Sequence, residues 1–374
     1  MDLKKTMITA ALAVVAVLAA HGQYLPPDSV LRHYAAQMLV VGFRGDAVTD
    51  SCDAAHYVRD LKVGGIILFD IDLTGTGKLG SRNVTSPEQL RLMTAKLRSL
   101  ATYPLIIAAD QEGGLVCRLK ERYGFSPTVT AKYLGDTDCR DTTVFYSRQL
   151  VRDVARTGIN LNLAPLLDVH RDDCPPIGHF RRSFSGDVDV IARHAEWTIR
   201  EHHRGGVMCA VKHFPGHGNA TTDSHYGLVD VSGTWQRSEL EPYRKLMQKG
   251  LVDVVMTAHI YNSNIDPAYP ATLSRRTIHD LLRGELGYDG LVITDDLYME
   301  GIIDHYSISQ ALALAINAGA DLILAGNNIP TGFEPDRPDF LIDTIVRLVK
   351  NGQIPYGRLL ESHQRIERFL KRIG

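Results

Sequence analysis

The chain has 374 residues, a formal net charge of -2 and 44% hydrophobic residues. Such a composition supports a sizeable core and is not that of a disordered chain. The near-neutral charge, without long lysine-rich tracts, gives no sign of a nucleic-acid partner or of an anionic membrane surface as a partner.

The first 22 residues are typical of a secretion signal. Lys4 and Lys5 form a basic n-region, and a run of small apolar residues follows over 7–20. Ala20 and Gly22 are small residues at the −3 and −1 positions of a cleavage site. The run is short for a membrane span, although a retained membrane anchor is the alternative interpretation. We therefore expect a signal peptide over 1–22 and an exported protein, periplasmic or secreted, without stable membrane insertion.

Eight short apolar segments alternate with longer segments of helical period. Several are nearly continuous apolar runs, as expected of strands covered on both faces in a parallel sheet. These segments are 38–43, 65–69, 105–109, 160–164, 207–213, 254–258, 291–294 and 322–325. Eight strands with intervening helices favour a closed barrel over an open sheet, so we predict a single-domain (β/α)8 barrel of the TIM type over residues 23–374.

Two helical segments have clear boundaries. The segment 86–100 has apolar residues at helical spacing and begins with Ser86 and Pro87, a good capping pair. The C-terminal segment 339–373 is predicted as two helices separated at Asn351 and Gly352. No repeat or linker suggests a second domain.

Polar residues follow several predicted strands at their carboxyl ends. They are Asp110, Lys212 with His213, His259, and Asp295 with Asp296. TIM barrels build their active sites at this end, so residues far apart in sequence converge there. Each of these residues could instead cap the next helix. Their recurrence at one end of the strands favours a shared site.

A dense polar cluster extends from Lys212 to His225. One interpretation is a metal site formed by His213, His217, Asp223 and His225, although Lys212 would place a cation beside the metal. The interpretation that we favour pairs Asp223 with His225, because a carboxylate orients an imidazole and stabilises its protonated form. Such a histidine suits general acid/base catalysis.

The predicted strand 291–294 ends in two acids before helical sequence begins. A carboxylate at the strand tip points into the barrel mouth, whereas the next residue is better placed to cap the helix. Asp295 is therefore the catalytic candidate and Asp296 its support. A carboxylate nucleophile suits attack at the anomeric carbon of a sugar, because it can form a covalent glycosyl intermediate.

Six motifs in fixed order carry a more specific resemblance. They are GGIILF (64–69), DQEGG (110–114) with Arg118, NLAPLLDV (162–169), RSF (182–184), KHFPGHG (212–218) with DSH (223–225), and TDDL (294–297) with Met299. From about Gln37 onward the chain resembles a family-three glycoside hydrolase of the single-domain β-N-acetylglucosaminidase type.

The resemblance implies a role for each matching residue. Asp295 would be the nucleophile, His225 the general acid/base and Asp223 its partner. The residues that would bind the terminal sugar are Asp110, Arg118, Arg182, Lys212 and His213. The resemblance further implies a retaining, exo-acting enzyme that needs no metal or cofactor and removes β-linked N-acetylglucosamine, for example from peptidoglycan or chitin fragments.

Three features depart from the family pattern. Leu115 stands where family members commonly have arginine, and the loop 70–82 is long and Gly-rich. The stretch before the RSF motif is two residues longer than usual, which leaves a choice between Arg181 and Arg182; adjacency to Ser183 favours Arg182. The arginines could also pair with Asp110 or Glu112 to organise the pocket.

Other functions remain open at this point. A β-glucosidase or β-xylosidase of the same family is the main alternative. Phosphorolysis is another, because a histidine in place of a second carboxylate leaves the site less anionic and allows phosphate to replace water. A metal-dependent barrel hydrolase using His213, His217 and His225, and a non-catalytic sugar-binding protein, are less favoured.

Overall fold

The computed structural model describes residues 25–73, 81–222, 227–329 and 332–374. The predicted signal peptide, 1–22, lies outside these ranges. In the part of the chain that is described, no helix is long and apolar enough to cross a membrane.

Eight parallel strands form the barrel. They are Leu39–Gly42 (β1), Gly65–Leu68 (β2), Ile106–Ala109 (β3), Leu161–Asn162 (β4), Met208–Phe214 (β5), Val254–Thr257 (β6), Leu291–Ile293 (β7) and Ile323–Ala325 (β8). Neighbours follow chain order from β1 to β7, and β8 pairs with β1. A parallel bridge from Ile293 to Leu322 closes the circle between β7 and β8. The predicted TIM barrel and all eight predicted strands are confirmed.

Helices surround the strands. The α-helices are Asp28–Gln37 (α1), Asp53–Ala55 (α2), Pro87–Leu100 (α3), Ala131–Thr137 (α4), Arg140–Arg156 (α5), Val188–Arg204 (α6), Glu241–Gln248 (α7), Glu300–Ile303 (α8), Ile308–Ala318 (α9), Arg337–Lys350 (α10) and Tyr356–Ile373 (α11). π-Helices cover His56–Leu61 and Arg276–Glu285, and 3₁₀ turns cover Glu121–Tyr123, Arg237–Leu240 and Ala271–Leu273.

Local sequence accounts for the helix ends. Ser86 caps α3, since its side chain accepts a hydrogen bond from the backbone N–H of Gln89 and Pro87 stands at the first helical position. The two predicted C-terminal helices are confirmed as α10 and α11, separated by a turn at Asn351 and Gly352.

The core surrounds and fills the barrel wall. Every residue of β1, β2, β3 and β8 is buried, because the strands pack against side chains inside the barrel and against helices outside. At the carboxyl end, β1 and β8 approach so closely that a Cβ atom on Gly42 would overlap the carbonyl oxygen of Gly326.

Two small sheets extend the carboxyl end of the barrel. After β3, the strands Gln111–Gly113 and Val116–Cys117 form an antiparallel pair, here called the β3 hairpin. After β5 and β6, Val229–Asp230 pairs with Ile260–Tyr261. The β3 hairpin lies at the end where TIM barrels build their sites.

Candidate active site

A cluster of opposite charges lies beyond the ends of β3 and β5. We call Asp110, Glu112, Arg118, Arg182 and Lys212 the ion cluster. Lys212 Nζ lies 2.8 Å from Asp110 Oδ1 and 2.8 Å from Glu112 Oε1. Arg118 Nη2 donates to the other oxygen of Asp110 at 3.0 Å. Four of the five predicted sugar-binding residues therefore meet in one place, together with Glu112.

Arg182 reaches the ion cluster and its neighbour does not. The guanidinium of Arg182 donates two hydrogen bonds to Glu112, at 2.9 and 2.7 Å. The Arg181 side chain is 57% exposed and lies 3.6 Å from Asp136 on α4. Of the two arginines that the sequence left open, Arg182 is the one that lies in the ion cluster, and its role in sugar binding stays a prediction. The expected pairing of the arginines with Asp110 and Glu112 is also observed.

The ion cluster is charged at neutral pH despite its burial. Burial opposes ionisation of Asp110, but Lys212 and Arg118 outweigh it and hold the pKa of Asp110 below its usual range. Burial likewise opposes the charge on Lys212, yet Asp110 and Glu112 raise its pKa. Two carboxylates and three cations therefore face one another in the ion cluster.

His213, the fifth predicted sugar-binding residue, is fixed by a buried carboxylate after β4. Its Nδ1 lies 2.7 Å from Asp168 Oδ2, and the backbone N–H of His217 donates to Asp168 Oδ1 at 2.7 Å. Burial opposes ionisation of Asp168, but His213 lowers its pKa below the ordinary value. Because the carboxylate accepts, Nδ1 of His213 carries the proton.

The metal interpretation finds limited support in the described residues. Burial and the neighbouring His213 lower the pKa of His217 to about 4. No group of three or more His, Cys, Asp or Glu side chains within the described ranges is arranged to hold a metal ion. Asp223 and His225, the other two positions of that interpretation, lie outside those ranges.

The predicted Asp223 and His225 dyad lies in the segment 223–226, outside the described residues, so its geometry stays a prediction. The part of the loop that precedes this segment is held by a contact between Asn219 and Glu239. Asn219 Nδ2 donates to Glu239 Oε1 at 2.7 Å, and Glu239 is buried under Gly216. Burial raises the pKa of Glu239 to about 7, because the hydrogen bonds from Gln236 and Asn219 and the charge of Arg171 offset the loss of solvation only in part.

The nucleophile candidate Asp295 lies two residues after the end of β7 and is partly exposed. Its Oδ1 accepts from the backbone N–H of Asp296 at 2.9 Å. The Asp296 carboxylate accepts from the N–H groups of Tyr298 at 3.0 Å and Gly326 at 2.9 Å. Burial raises the pKa of Asp296 to about 6, and the charge of Asp295 adds to the shift.

One expectation at this turn is wrong. Asp296 was predicted to cap the following helix, but α8 begins only at Glu300, after Met299 at its N-cap. Two further residues separate the acid from that cap, so its carboxylate instead joins the turn to the backbone after β8.

His259, after β6, holds the same turn from the other side. Its Nε2 lies 2.9 Å from the carbonyl oxygen of Asp296, and its Nδ1 lies 2.9 Å from Thr272 Oγ1. Since a carbonyl oxygen only accepts, Nε2 carries a proton. The position of His259 at a strand end was evident from the sequence, but its contact with Asp296 was not.

Phe69, at the end of β2, connects the nucleophile turn with the ion cluster. Its ring lies 5.4 Å from the Arg118 guanidinium and 5.5 Å from that of Arg82. A Cβ atom on Gly326 would come within 2.9 Å of the same ring. Phe69, just before the predicted long loop 70–82, and Arg82, its last residue, therefore form part of the wall of the site. Residues 74–80 of this loop lie outside the described residues.

Sequence reasoning missed two carboxylates that shape the site and named a third, Glu112, only as an alternative partner of the arginines. Asp168 was seen only as a motif letter, although it contacts the predicted sugar-binding residue His213. Asp70 pairs with Lys120 and lies 3.9 Å from Arg118. The available signal was position, because each follows a barrel strand by only a few residues.

A closed parallel barrel with a carboxylate at one strand tip and a buried cluster of acids, lysine and arginines at the same end defines a TIM-barrel hydrolase of the glycosidase class. The family model described as "Glycosyl hydrolase family 3 N terminal domain" matches residues 30–369. The chain belongs to this glycoside hydrolase family.

Named relatives agree with this assignment. The chain is 35% identical to a beta-hexosaminidase of Idiomarina loihiensis over 274 residues, covering 71% of this chain and 77% of that protein. It is 32% identical to a beta-hexosaminidase of Nitrosomonas eutropha over 316 residues, covering 82% and 84%.

Solved structures give the same result. A family 3 beta-N-acetylglucosaminidase from Paenibacillus sp. superposes with a TM-score of 0.81 and 34% identity, covering 92% of this chain but only 62% of that one. A beta-N-acetylhexosaminidase from Beutenbergia cavernae superposes with a TM-score of 0.80 and 27% identity, covering 94% of this chain and all of that one.

Proposed function

We propose that this protein is a retaining, exo-acting β-N-acetylhexosaminidase that removes terminal β-linked N-acetylglucosamine. The observation that carries the proposal is the placement of Asp295 at the tip of β7, on the same end of the barrel as the ion cluster. The names of the relatives, beta-hexosaminidase and beta-N-acetylglucosaminidase, support the choice of sugar.

The proposed reaction is a double displacement. His225, oriented by Asp223, protonates the leaving oxygen while Asp295 attacks the anomeric carbon and forms a glycosyl ester. His225 then takes a proton from water, and the water oxygen displaces Asp295 with net retention of configuration.

The ion cluster suits the recognition of one sugar ring. Asp110 accepts hydrogen bonds from sugar hydroxyls, and Arg118, Arg182, Lys212 and His213 supply donors. Glu112 fixes Arg182 and Lys212, so these donors are held in place before substrate arrives. Such preorganisation lowers the entropic cost of binding.

The nucleophile is tested by replacement. We expect Asp295→Asn to abolish turnover of an aryl β-N-acetylglucosaminide, while Asp304→Asn, an exposed control at the end of α8, keeps the rate. We expect His225→Ala to keep the first step for substrates with good leaving groups only, because such groups need no proton. Near-normal rates for Asp295→Asn would contradict the assignment.

A substrate panel separates the alternatives. Proton NMR of the first-formed anomer is expected to show β-N-acetylglucosamine, the product of retention. Faster turnover of an aryl β-glucoside or β-xyloside would favour the other branch of the family. A sugar phosphate formed in phosphate buffer would favour phosphorolysis, whereas an unchanged rate without sugar phosphate eliminates it.

From residues 1–22 we also propose export, with peptidoglycan or chitin fragments as natural substrates. The basic start and the apolar run support this. Cell fractionation with N-terminal sequencing of the recovered protein is expected to find a chain beginning near residue 23. An intact N-terminus in the cytosol would contradict export.

A further inference from the structure

A chain of buried polar side chains runs from helix α6 to the β3 hairpin. His202, in the last turn of α6, has its Nε2 2.9 Å from Nδ2 of Asn162 at the end of β4. Asn162 holds both backbone polar groups of Gln111, the first residue of the hairpin. Its Oδ1 accepts from the Gln111 N–H at 3.0 Å, and its Nδ2 donates to the Gln111 carbonyl oxygen at 2.9 Å.

The Gln111 side chain extends the chain to the other end of the hairpin. Its Oε1 accepts from the backbone N–H groups of Arg118 at 3.0 Å and Leu119 at 2.9 Å. Asp110 directly precedes the hairpin and Glu112 lies within it. Asn162 and Gln111 therefore fix the backbone of Arg118 and of Gln111, the residue between Asp110 and Glu112.

The hydrogen bonds determine the proton positions. His202 Nδ1 lies 2.9 Å from the carbonyl oxygen of Thr198, which only accepts, so Nδ1 carries the proton and Nε2 accepts from Asn162. Turning the Asn162 amide over would set its NH₂ group against the N–H of Gln111. A neutral Nδ1–H imidazole satisfies every partner.

The electrostatic surroundings agree with a neutral ring. Burial, together with the charge of His203, lowers the pKa of His202 to about 4, although the hydrogen bond to Thr198 and the charges of Asp253 and Glu201 act in the opposite direction. A narrow cavity lined by His202, Gln111, Glu112 and Arg182 separates the hairpin from the helices. Directional hydrogen bonds therefore help to fix the hairpin on this side.

We infer that His202 and Asn162 are positioning residues for sugar binding: neutral His202 orients the amide of Asn162, and Asn162 holds the hairpin that presents Asp110, Glu112 and Arg118. This inference rests on the proposed function, because it assigns the ion cluster to the sugar. Neither residue is expected to touch substrate.

Asn162→Asp tests the amide. The carboxylate still accepts from the Gln111 N–H but opposes the Gln111 carbonyl oxygen and the lone pair of His202. We expect KM at about pH 8 to rise about tenfold, the equivalent of one lost buried hydrogen bond. At about pH 5.5 the rise is expected to shrink, because the new carboxylate raises the pKa of His202, which then gains a proton and pairs with it.

His202→Gln tests the histidine, with His194→Gln as the matched control. His194 is also buried on α6, but it contacts Thr143 on α5 at 2.9 Å and Asp138 at 3.0 Å, away from the hairpin. We expect both variants to lose thermal stability, and only His202→Gln to raise KM. If His202 had only a structural role, the two variants would change KM equally for an equal loss of stability.

The outcomes are decisive. An unchanged KM in His202→Gln, an equal rise in His194→Gln, or a pH-independent rise in Asn162→Asp overturns the inference. Histidine-selective ¹⁵N NMR of the wild-type chain is a further test. An imidazolium or an Nε2–H tautomer of His202 at neutral pH refutes the inference. Absence of turnover in the wild type would instead contradict the proposed function.

Discussion

Replacing Glu112 by glutamine removes the charge that Arg182 and Lys212 share. The Glu112 side chain is 4% exposed and that of Arg182 12%, so water screens their attraction little. Removing one partner of a buried pair leaves an uncompensated charge and costs about 3–5 kcal/mol. We expect Glu112→Gln to lower the free energy of unfolding by about 3 kcal/mol, since the amide keeps one acceptor for the guanidinium.

The same replacement is expected to weaken catalysis. Arg182 and Lys212 lose the anchor that orients them toward substrate, and small displacements of positioning groups cost about 100-fold in rate. The measurement is kcat/KM with the aryl N-acetylglucosaminide, taken below the unfolding temperature of the variant.

Glu88→Gln is the matched control. The Glu88 carboxylate accepts two hydrogen bonds from Arg91 at 2.9 and 2.7 Å, the same distances as in the Glu112 pair. Here the side chains are 66% and 52% exposed, so water and salt screen the attraction. We expect this variant to match the wild type in stability and in kcat/KM.

The stability difference has a defined pH dependence. Burial opposes ionisation of Glu112, but Arg182 and Lys212 lower its pKa below the ordinary value of 4.5. The stabilisation is therefore fully present above the pKa of the unfolded chain and is lost as pH falls through the lowered folded pKa. Denaturant unfolding of both proteins at several pH values checks this. Equal stability and kcat/KM for Glu112→Gln and wild type at neutral pH would refute the reasoning.

Three further outcomes follow from the same structure. Ser86→Ala removes the acceptor for the Gln89 N–H and is expected to lower unfolding free energy by about 1 kcal/mol, with kcat/KM unchanged. Because the folded pKa of Glu239 is raised, the wild type loses stability as pH rises from about 4.5 to about 7, whereas Glu239→Gln does not. We therefore expect the free energy of unfolding of Glu239→Gln, relative to that of the wild type, to increase by about 3 kcal/mol over this range. Thermal unfolding of both proteins at the two pH values measures the difference. Gly326→Ala would place a Cβ 2.8 Å from the carboxylate after the nucleophile and 2.9 Å from Phe69, so kcat is expected to fall in steady-state assays while helix content by circular dichroism stays the same.

The barrel was predictable because its signal is local and repeated. Each strand is a short apolar run buried on both faces, and eight such runs between helical segments leave few alternatives to a closed sheet. The ends of α3 were predictable for a similar reason, because Ser86 and Pro87 act within one helical turn. Asp110, Lys212 and Asp295 were found through their position at strand ends.

Contacts between distant segments were decided only by the tertiary structure. Glu112 lies 70 residues from Arg182 in sequence, and the sequence offered Asp110 and Glu112 alike as arginine partners, so only the fold shows that Arg182 pairs with Glu112. The same holds for Asp296. The local pattern suggested a helix cap, but its carboxylate accepts a hydrogen bond from the N–H of Gly326, which lies after the neighbouring strand β8.

By itself, the sequence determined the strands, their order and several of the residues that gather at the carboxyl end of the barrel, since these follow from periodicity and chain connectivity. The tertiary structure decided the partner of each charged side chain, including the choice of Arg182 over Arg181. The physical reason is that a buried charge is stabilised by whichever opposite charge the fold brings within hydrogen-bond distance, and that distance is unrelated to separation along the chain.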